Sequence, residues 1–481
     1  MLCFDLKKNF RRWIHIFLDR RRYLYHNGTN NIIKCRYIYN KETKMKKNIL
    51  PVLLIGVLIL TVFTGCGKEG KSADAAGIPA YDPDKEYTIS IGCYGDLERA
   101  YMAVMDTEDF KNTFPNITFE FQSADFGGHH SRLTTVLAAG EATNDIEALE
   151  VGFIAKFVEG GGLTDLAAQP FNGVEEGSDI VGFAMSNATT QDGRLVALPV
   201  DIAPAVMFYR KSIVDAAGVS VENLASWDDY IEIGGELLAD RDGDGAIDQF
   251  ALPNANDVAL TPLSGGKGGW FSDTGKPLEP KEKFITALSV VKEIREAGID
   301  GDLTAWTGPW TQGFADGTIV TTINGAWFGG ALKTWMATET AGDWRVTRLP
   351  GNELAALGGT YLSIPENVPD EQKAAAWEVI KYLCTSPNAQ LTTFEAIDAF
   401  PALTTVFDAP VMNEGVDFFG GQKVRQIYAE VARDIPNAPV SEYDAAILSI
   451  FNNSITDVLV NDVEVEDAYQ TALNSVLAIA D

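Results

Sequence analysis

An α/β fold with a mainly parallel sheet is what this chain predicts, and three observations carry the prediction. Apolar alternation of period two opens the globular part at Tyr87-Thr88-Ile89-Ser90-Ile91-Gly92. Strand-like runs then alternate with helical patterns, the order that builds a parallel sheet. The composition, 46% hydrophobic and 22% charged over 481 residues, allows a large core in two or three domain-sized units.

The elements follow in order. After the first strand, a helix is expected over 99–114 and a second strand over 117–122. A helix over 131–139 and a third strand over 145–151 complete the opening unit. In such sheets ligands sit beyond the C-terminal strand ends. That rule points at 94–96, 128–130 and 150–153, and so at Tyr94, Asp96, His129 beside His130, and Glu150; Asp201 likewise follows a strand end. Strands over 195–200 and 205–209 follow, then a helix over 211–217 stopped by Gly218. Ser226 caps a helix whose first turn carries Asp228 and Asp229. A helix over 281–297, strands over 319–324 and 359–364, a helix over 371–384 and a helical tail over 424–432 and 443–480 close the chain.

The spacing of Asp240, Asp242 and Asp244, with Gly245 at the sharp turn, matches a calcium loop of the EF-hand type. Ala246 would offer its carbonyl and Asp248 takes the ninth position, but Ala251 stands where a bidentate glutamate is usual. A structural Ca2+ is expected here, with an Asx-rich turn as the plain reading; no catalytic cofactor is implied. Six of the nine tryptophans fall between residues 265 and 344. Of these, Trp270, Trp306 and Trp310 lie in Gly/Pro-rich stretches, as ligand-facing aromatics would.

Ahead of the globular part, Ile49 to Cys66 follows Lys46-Lys47 with a short apolar run and ends in Thr64-Gly65-Cys66. That is a secretory signal rather than a membrane span, which needs roughly 20 apolar residues. Its ending resembles a bacterial lipobox, with Phe63 where leucine is usual, so Cys66 is expected to be lipidated. Residues 1–44 read as a mis-called, disordered leader, 45–65 as a lipoprotein signal peptide and 66–85 as a flexible tether. The phosphate-loop pattern Gly65–Ser72 straddles the cleavage point, not a strand–helix junction, and is read as coincidence. From Cys66 onward 25 basic residues face 64 acidic ones, a net of −39. Such a surface excludes nucleic acid as a partner, and attachment to the membrane is left to the lipid. Cys93 and Cys384 are expected as buried free thiols.

Several short segments resemble, in order, the extracellular solute-binding proteins of carbohydrate ABC importers, the maltose-binding-protein-like group. They are Asp145-Ile146-Glu147 with Gly162-Leu163-Thr164-Asp165-Leu166, and Leu198-Pro199 with Phe208-Tyr209-Arg210-Lys211 and Ala217-Gly218. Ser226-Trp227-Asp228-Asp229-Tyr230, Phe314-Ala315-Asp316-Gly317, Asn324-Gly325-Ala326-Trp327 and Ala375-Ala376-Trp377-Glu378 continue the series. The resemblance implies a two-lobe fold of the type II periplasmic-binding kind, with a ligand cleft between lobes joined by hinge strands. It puts lobe 1 at 86–202 plus 360–407 and lobe 2 at 203–359 plus 408–481, with crossings near Asp201–Pro204 and Gly359–Leu362.

It further implies a monomer that captures a sugar or oligosaccharide and delivers it to permease subunits. The expected location is the outer face of the bacterial cytoplasmic membrane, at the cell surface or in the periplasm. Trp327 matches the family's ligand-stacking tryptophan; Asp201 and Tyr361 fall at the crossings. Sugar rings present apolar C–H faces to aromatics and hydroxyls to carboxylates, which suits these residue types. A surface glycoside hydrolase, needing two carboxyls across one bond, and a lipoprotein for peptide or metal are the competing readings. No distinctive acid/base pair marks the first, and few basic groups line the chosen loops.

Overall fold

The computed structural model describes residues 77–141, 144–264, 269–272 and 275–480. The leader, the signal peptide, Cys66 and Gly65–Ser72 lie outside them. The described residues belong to one compact unit. Among the described residues no helix is long and apolar enough to cross a membrane.

The first lobe opens with β1 (Tyr87–Tyr94), whose Tyr87, Ile89, Ile91 and Cys93 all face the core. α1 (Leu97–Met105) and α2 (Glu108–Thr113) replace the single helix expected over 99–114. Thr107 breaks it by capping α2, its hydroxyl accepting the Phe110 N–H at 3.2 Å. β2 (Ile117–Ala124) precedes α3 (Phe126–Ala138), which starts five residues earlier than expected. Asp125 caps it by accepting the Gly128 N–H at 2.9 Å, so Gly127-Gly128 becomes a first turn rather than a break.

β3 (Ile146–Glu150) runs directly into α4 (Val151–Gly160). α5 (Gly173–Glu176) and α6 (Gly182–Asn187) lead to β4, which keeps only Leu198–Pro199 of the strand expected over 195–200. Beyond Pro199 the backbone leaves the sheet to become the first crossing.

The second lobe holds β5 (Ala205–Arg210), α7 (Lys211–Ala217), α8 (Trp227–Glu236), α9 (Thr261–Ser264) and α10 (Lys281–Glu296). α11 (Gly308–Asp316), β6 (Thr321–Gly325), α12 (Phe328–Ala331) and β7 (Trp344–Thr347) complete it before the chain returns. β8 (Thr360–Ser363), α13 (Asp370–Thr385) and α14 (Pro387–Ile397) rejoin the first lobe. α15 (Val424–Asp434), α16 (Asp444–Val460) and α17 (Val465–Ala480) end the chain.

The first sheet has the order β2-β1-β3-β8-β4: β1 is parallel to β2 and β3, and β8 runs antiparallel to β3 and β4. The second, β6-β5-β7, is antiparallel throughout, so the parallel expectation holds for one lobe only. The reason is topological. β5 leaves the crossing, whereas β6 and β7 run back towards it. β5 is apolar on both faces because it divides two cores. Val206 and Phe208 join the core continuous with the first lobe; Ala205, Met207 and Tyr209 join the core under α8, α10 and α16.

Two crossing segments pair with each other. Leu357 N–H donates to Ala203 O at 2.9 Å, Ala205 N–H to Ala355 O at 2.8 Å and Val200 N–H to Thr360 O at 2.8 Å. A third segment lies alongside, its Phe400 O accepting the Ile202 N–H at 2.8 Å. The ends of β1, β3, β4 and β6 and the start of β8 therefore converge on this ribbon.

Candidate functional site: the groups gathered at the crossings

Trp327 follows β6 and begins α12. Its Nε1–H donates to the carbonyl of Leu357 at 2.9 Å, so the indole is fastened to the second crossing. Gly325 and Gly358 make room: a Cβ on either would stand 2.9 Å and 3.2 Å from that nitrogen. The ring stays half-buried and lies nearly parallel to Trp306, 6.0 Å between centroids and 16° between planes. Trp306 is 63% exposed and has φ +65°, a strained left-handed backbone for a bulky residue. Two indoles at the mouth of one lobe form an aromatic shelf.

Trp310 is placed differently from the loop position expected of it. It sits on α11, 3% exposed, edge-on to Phe314 and Phe328, and supports Trp306 from beneath. Trp270 packs on Phe284 and Phe451 over the second lobe's core. The structure does not bring it to the Trp327 shelf.

On the first lobe the strand-end rule gathers a polar set. Tyr94, ending β1, shares a 3.1 Å hydrogen bond between its hydroxyl and that of Thr360 at the start of β8. Asp201, on the first crossing, accepts the Thr360 N–H at 3.0 Å. Glu150, ending β3, caps α4 by accepting the Gly152 N–H at 2.8 Å. Tyr361 is buried within β8 and reaches the set as a wall, not as an exposed hydroxyl.

Two other residues selected from sequence fall outside it. Asp96 is a surface group paired with Arg99 at 3.0 Å. His129 is fully buried beneath the sheet, donating from Nε2 to Ala148 O at 2.7 Å beside the Arg132–Glu147 ion pair. Its helix starts early, which turns His129 inward and leaves His130 nearer Glu150.

Burial pushes the Glu150 carboxyl up to about 7, with the Gly152 hydrogen bond opposing and the Asp201 charge adding. Burial likewise lifts Asp201 to about 6, against the hydrogen bonds from Thr360. Among the described residues neither forms an ion pair. Two such carboxyls can donate to or accept from hydroxyl groups, according to which holds a proton. Sequence reasoning missed Thr360 and Phe126, whereas Phe153 lies within the 150–153 segment that the strand-end rule selected. Phe126 follows the end of β2 and packs edge to face on Phe153, so the same strand-end rule could have found it.

Comparison with known proteins decides the family. A family model described as bacterial extracellular solute-binding protein matches residues 107–420. The chain belongs to that family. Membership places this solute-binding protein outside the cytoplasm, in the periplasm or at the cell surface. It is 26% identical over 439 residues to an arabinooligosaccharide-binding protein of Halalkalibacterium halodurans, covering 86% of this chain and 95% of that one. A second arabinooligosaccharide-binding protein, from Bacillus subtilis, is 23% identical over 336 residues, 67% of this chain and 73% of its own. Among solved structures, an extracellular solute-binding protein of family 1 superposes with a TM-score of 0.69 at 21% identity. It covers 82% of this chain and 100% of that one, so the two-lobe solute-binding fold is shared.

The calcium-like loop is an exposed turn in which Asp240, Asp242 and Asp244 bring carboxylate oxygens within 4.8 Å of one another. Asp240 accepts the N–H groups of Gly243 at 2.7 Å and Gly245 at 2.8 Å. Asp248 is turned to Arg241, whose N–H it accepts at 2.8 Å, and Ala251 is buried. The first three carboxylates suit a hard divalent cation by charge and donor type.

Proposed function

We propose that this protein captures a neutral oligosaccharide, of the arabino-oligosaccharide class, between its lobes and hands it to the permease of an ABC importer. The carrying observation is that the hinge-fastened Trp327, stacked with Trp306, and the Tyr94–Thr360–Asp201–Glu150 set are attached to the same crossings. The names of the two relatives favour that sugar class. An indole face suits the C–H face of a sugar ring, and buried carboxyls suit its hydroxyls. The reading is binding without turnover. It also includes lipid attachment at Cys66 and action as a monomer.

Titration calorimetry of the purified protein against arabino-oligosaccharides, other neutral oligosaccharides and peptides tests it. Heat from sugars and none from peptides is expected; a response to peptides alone, or release of reducing sugar on incubation, overturns it. A Ca2+ held by Asp240, Asp242 and Asp244, with the Ala246 carbonyl, would offset their mutual repulsion and stiffen the turn. EDTA should then lower Tm, and added calcium should restore it, with sugar affinity unchanged. Melting that ignores both reagents leaves only a turn.

A further inference from the structure

Glu150 sits where β3 gives way to α4, and its own N–H is bonded to a side chain. The donor runs to Nε2 of His130 on α3, at 3.1 Å. On the other side of the ring, Nδ1 lies 2.8 Å from the carbonyl of Phe126. The two partners settle the tautomer. A carbonyl can only accept, so Nδ1 carries the hydrogen, and an amide N–H can only donate, so Nε2 must offer its lone pair. The imidazole is thus neutral and directional, a strut from the first turn of α3 to the end of β3.

Packing holds the strut in one orientation. The His130 ring is buried and stacks on Phe153 of α4, 4.0 Å between centroids and 15° between planes. Phe126 and Tyr94 pack against it at 4.8 Å and 4.9 Å. The next N–H along the chain, that of Val151, donates to Gly359 O of the second crossing at 3.0 Å. Two consecutive amides are therefore pinned to different bodies, one to α3 through His130 and one to the hinge. With its backbone so fixed, the Glu150 carboxyl has few ways to move. It caps Gly152 and stays within the electrostatic reach of Asp201.

We infer that His130 is a positioning residue for ligand capture: through the Glu150 amide it fixes the carboxyl that meets the ligand. The inference rests on the assignment of Glu150 to the ligand set, and no part of it needs His130 to touch sugar. Deleting one buried hydrogen bond that aims a binding group costs roughly tenfold in affinity. A glutamine at this position carries an acceptor and a donor across the same short span as the two ring nitrogens, so it can restore the strut.

The experiment measures sugar affinity by calorimetry for His130→Leu, His130→Gln, Glu150→Gln and the His130→Leu/Glu150→Gln pair, each confirmed folded by its melt. His130→Leu should weaken binding roughly tenfold, and His130→Gln should return it to within about threefold of the native protein. In the Glu150→Gln background His130→Leu should add little, because the group it aims has already changed. Unchanged affinity in His130→Leu, failure of His130→Gln to restore it, or simple addition of the two effects overturns the inference.

Should His130→Leu fail to fold, His130→Asn replaces it. Asparagine is too short to join Phe126 to Glu150 and should show the same roughly tenfold loss. A ligand-free readout separates this inference from the sugar reading. Carbon-13 carboxyl resonances of the free protein, assigned by the Glu150→Gln difference, give the Glu150 titration. That titration should shift in His130→Leu and recover in His130→Gln whichever solute binds. A titration indifferent to both variants rejects the strut; a shifted titration in a protein that binds no sugar rejects only the sugar reading.

Discussion

At the scale of single residues, the site depends on groups whose environments make them do unusual things. Trp327 is held in one orientation because its nitrogen donates to Leu357 O, and Gly325 and Gly358 leave room for the ring. Trp327→Ala should weaken sugar binding by about thirtyfold or more, near 2 kcal/mol, as for a central aromatic anchor. The fold should survive, and an unchanged Kd by calorimetry removes the stacking role.

Glu150 and Asp201 make a second residue-scale prediction. Both have folded-state values above their ordinary ones, so between about pH 4 and 7 the folded protein binds more protons than the unfolded chain. Their contribution to stability is complete below the ordinary carboxylate range and is lost as pH rises through about 6 and then about 7. His130, held near 4 by burial, works in the opposite direction, losing stability as pH falls below the usual histidine range. The comparison is therefore made by difference. The Tm gap between the native protein and Glu150→Gln/Asp201→Asn should change in the variant's favour from pH 4 to pH 8. A gap that is flat with pH contradicts the raised values.

At the scale of elements, the crossings carry both the mechanics and the site. Gly358 and Gly359 have φ of +116° and +129°, outside what side-chain-bearing residues adopt readily. A Cβ on Gly359 would also stand 3.1 Å from Asp201 O of the partner crossing. Gly359→Ala should cost roughly 1–3 kcal/mol of stability. Urea melts measure it, and a midpoint equal to that of the native protein shows the strain to be absent.

The elements also show where sequence reading reached its limit. The helix over 211–217 and its Gly218 stop were legible because cap and period agree locally; the structure gives Lys211–Ala217 with Gly218 left-handed. β4 was over-extended because 195–200 is uniformly apolar, and nothing local says that 200–204 pair with 355–360 instead. α3 begins five residues before its expected start, because Asp125 caps a first turn that contains Gly127 and Gly128. That one shift decided which histidine faces Glu150.

At the scale of the whole molecule, the two lobes meet through paired crossings, and hinge closure about such strands is the expected response to ligand. Saturating sugar should reduce the radius of gyration in small-angle scattering and quench or shift tryptophan emission, since Trp306 is exposed and Trp327 only half-buried. Scattering curves that superpose with and without a bound sugar, at saturation proved by calorimetry, count against closure. β5, apolar on both faces, is packed between two cores, and the crossings carry Gly358 and Gly359, where the motion is expected.

By itself the sequence determined the α/β class, the capped helices, the strand that opens the first lobe and the residue types of the site. Those follow from local periodicity, caps and composition, which act over a few residues. Strand ends, a local signal, also singled out Tyr94, Glu150 and Asp201, and the family resemblance of the Asn-Gly-Ala-Trp segment singled out Trp327. Only the tertiary structure decided that these four converge on one ribbon, that Trp310 lies inside and Trp306 outside, and that His130 rather than His129 reaches Glu150. Those outcomes depend on contacts between segments up to 266 residues apart, such as Tyr94 with Thr360. No local pattern encodes such a pairing; it is fixed when two cores and three crossings are packed at once.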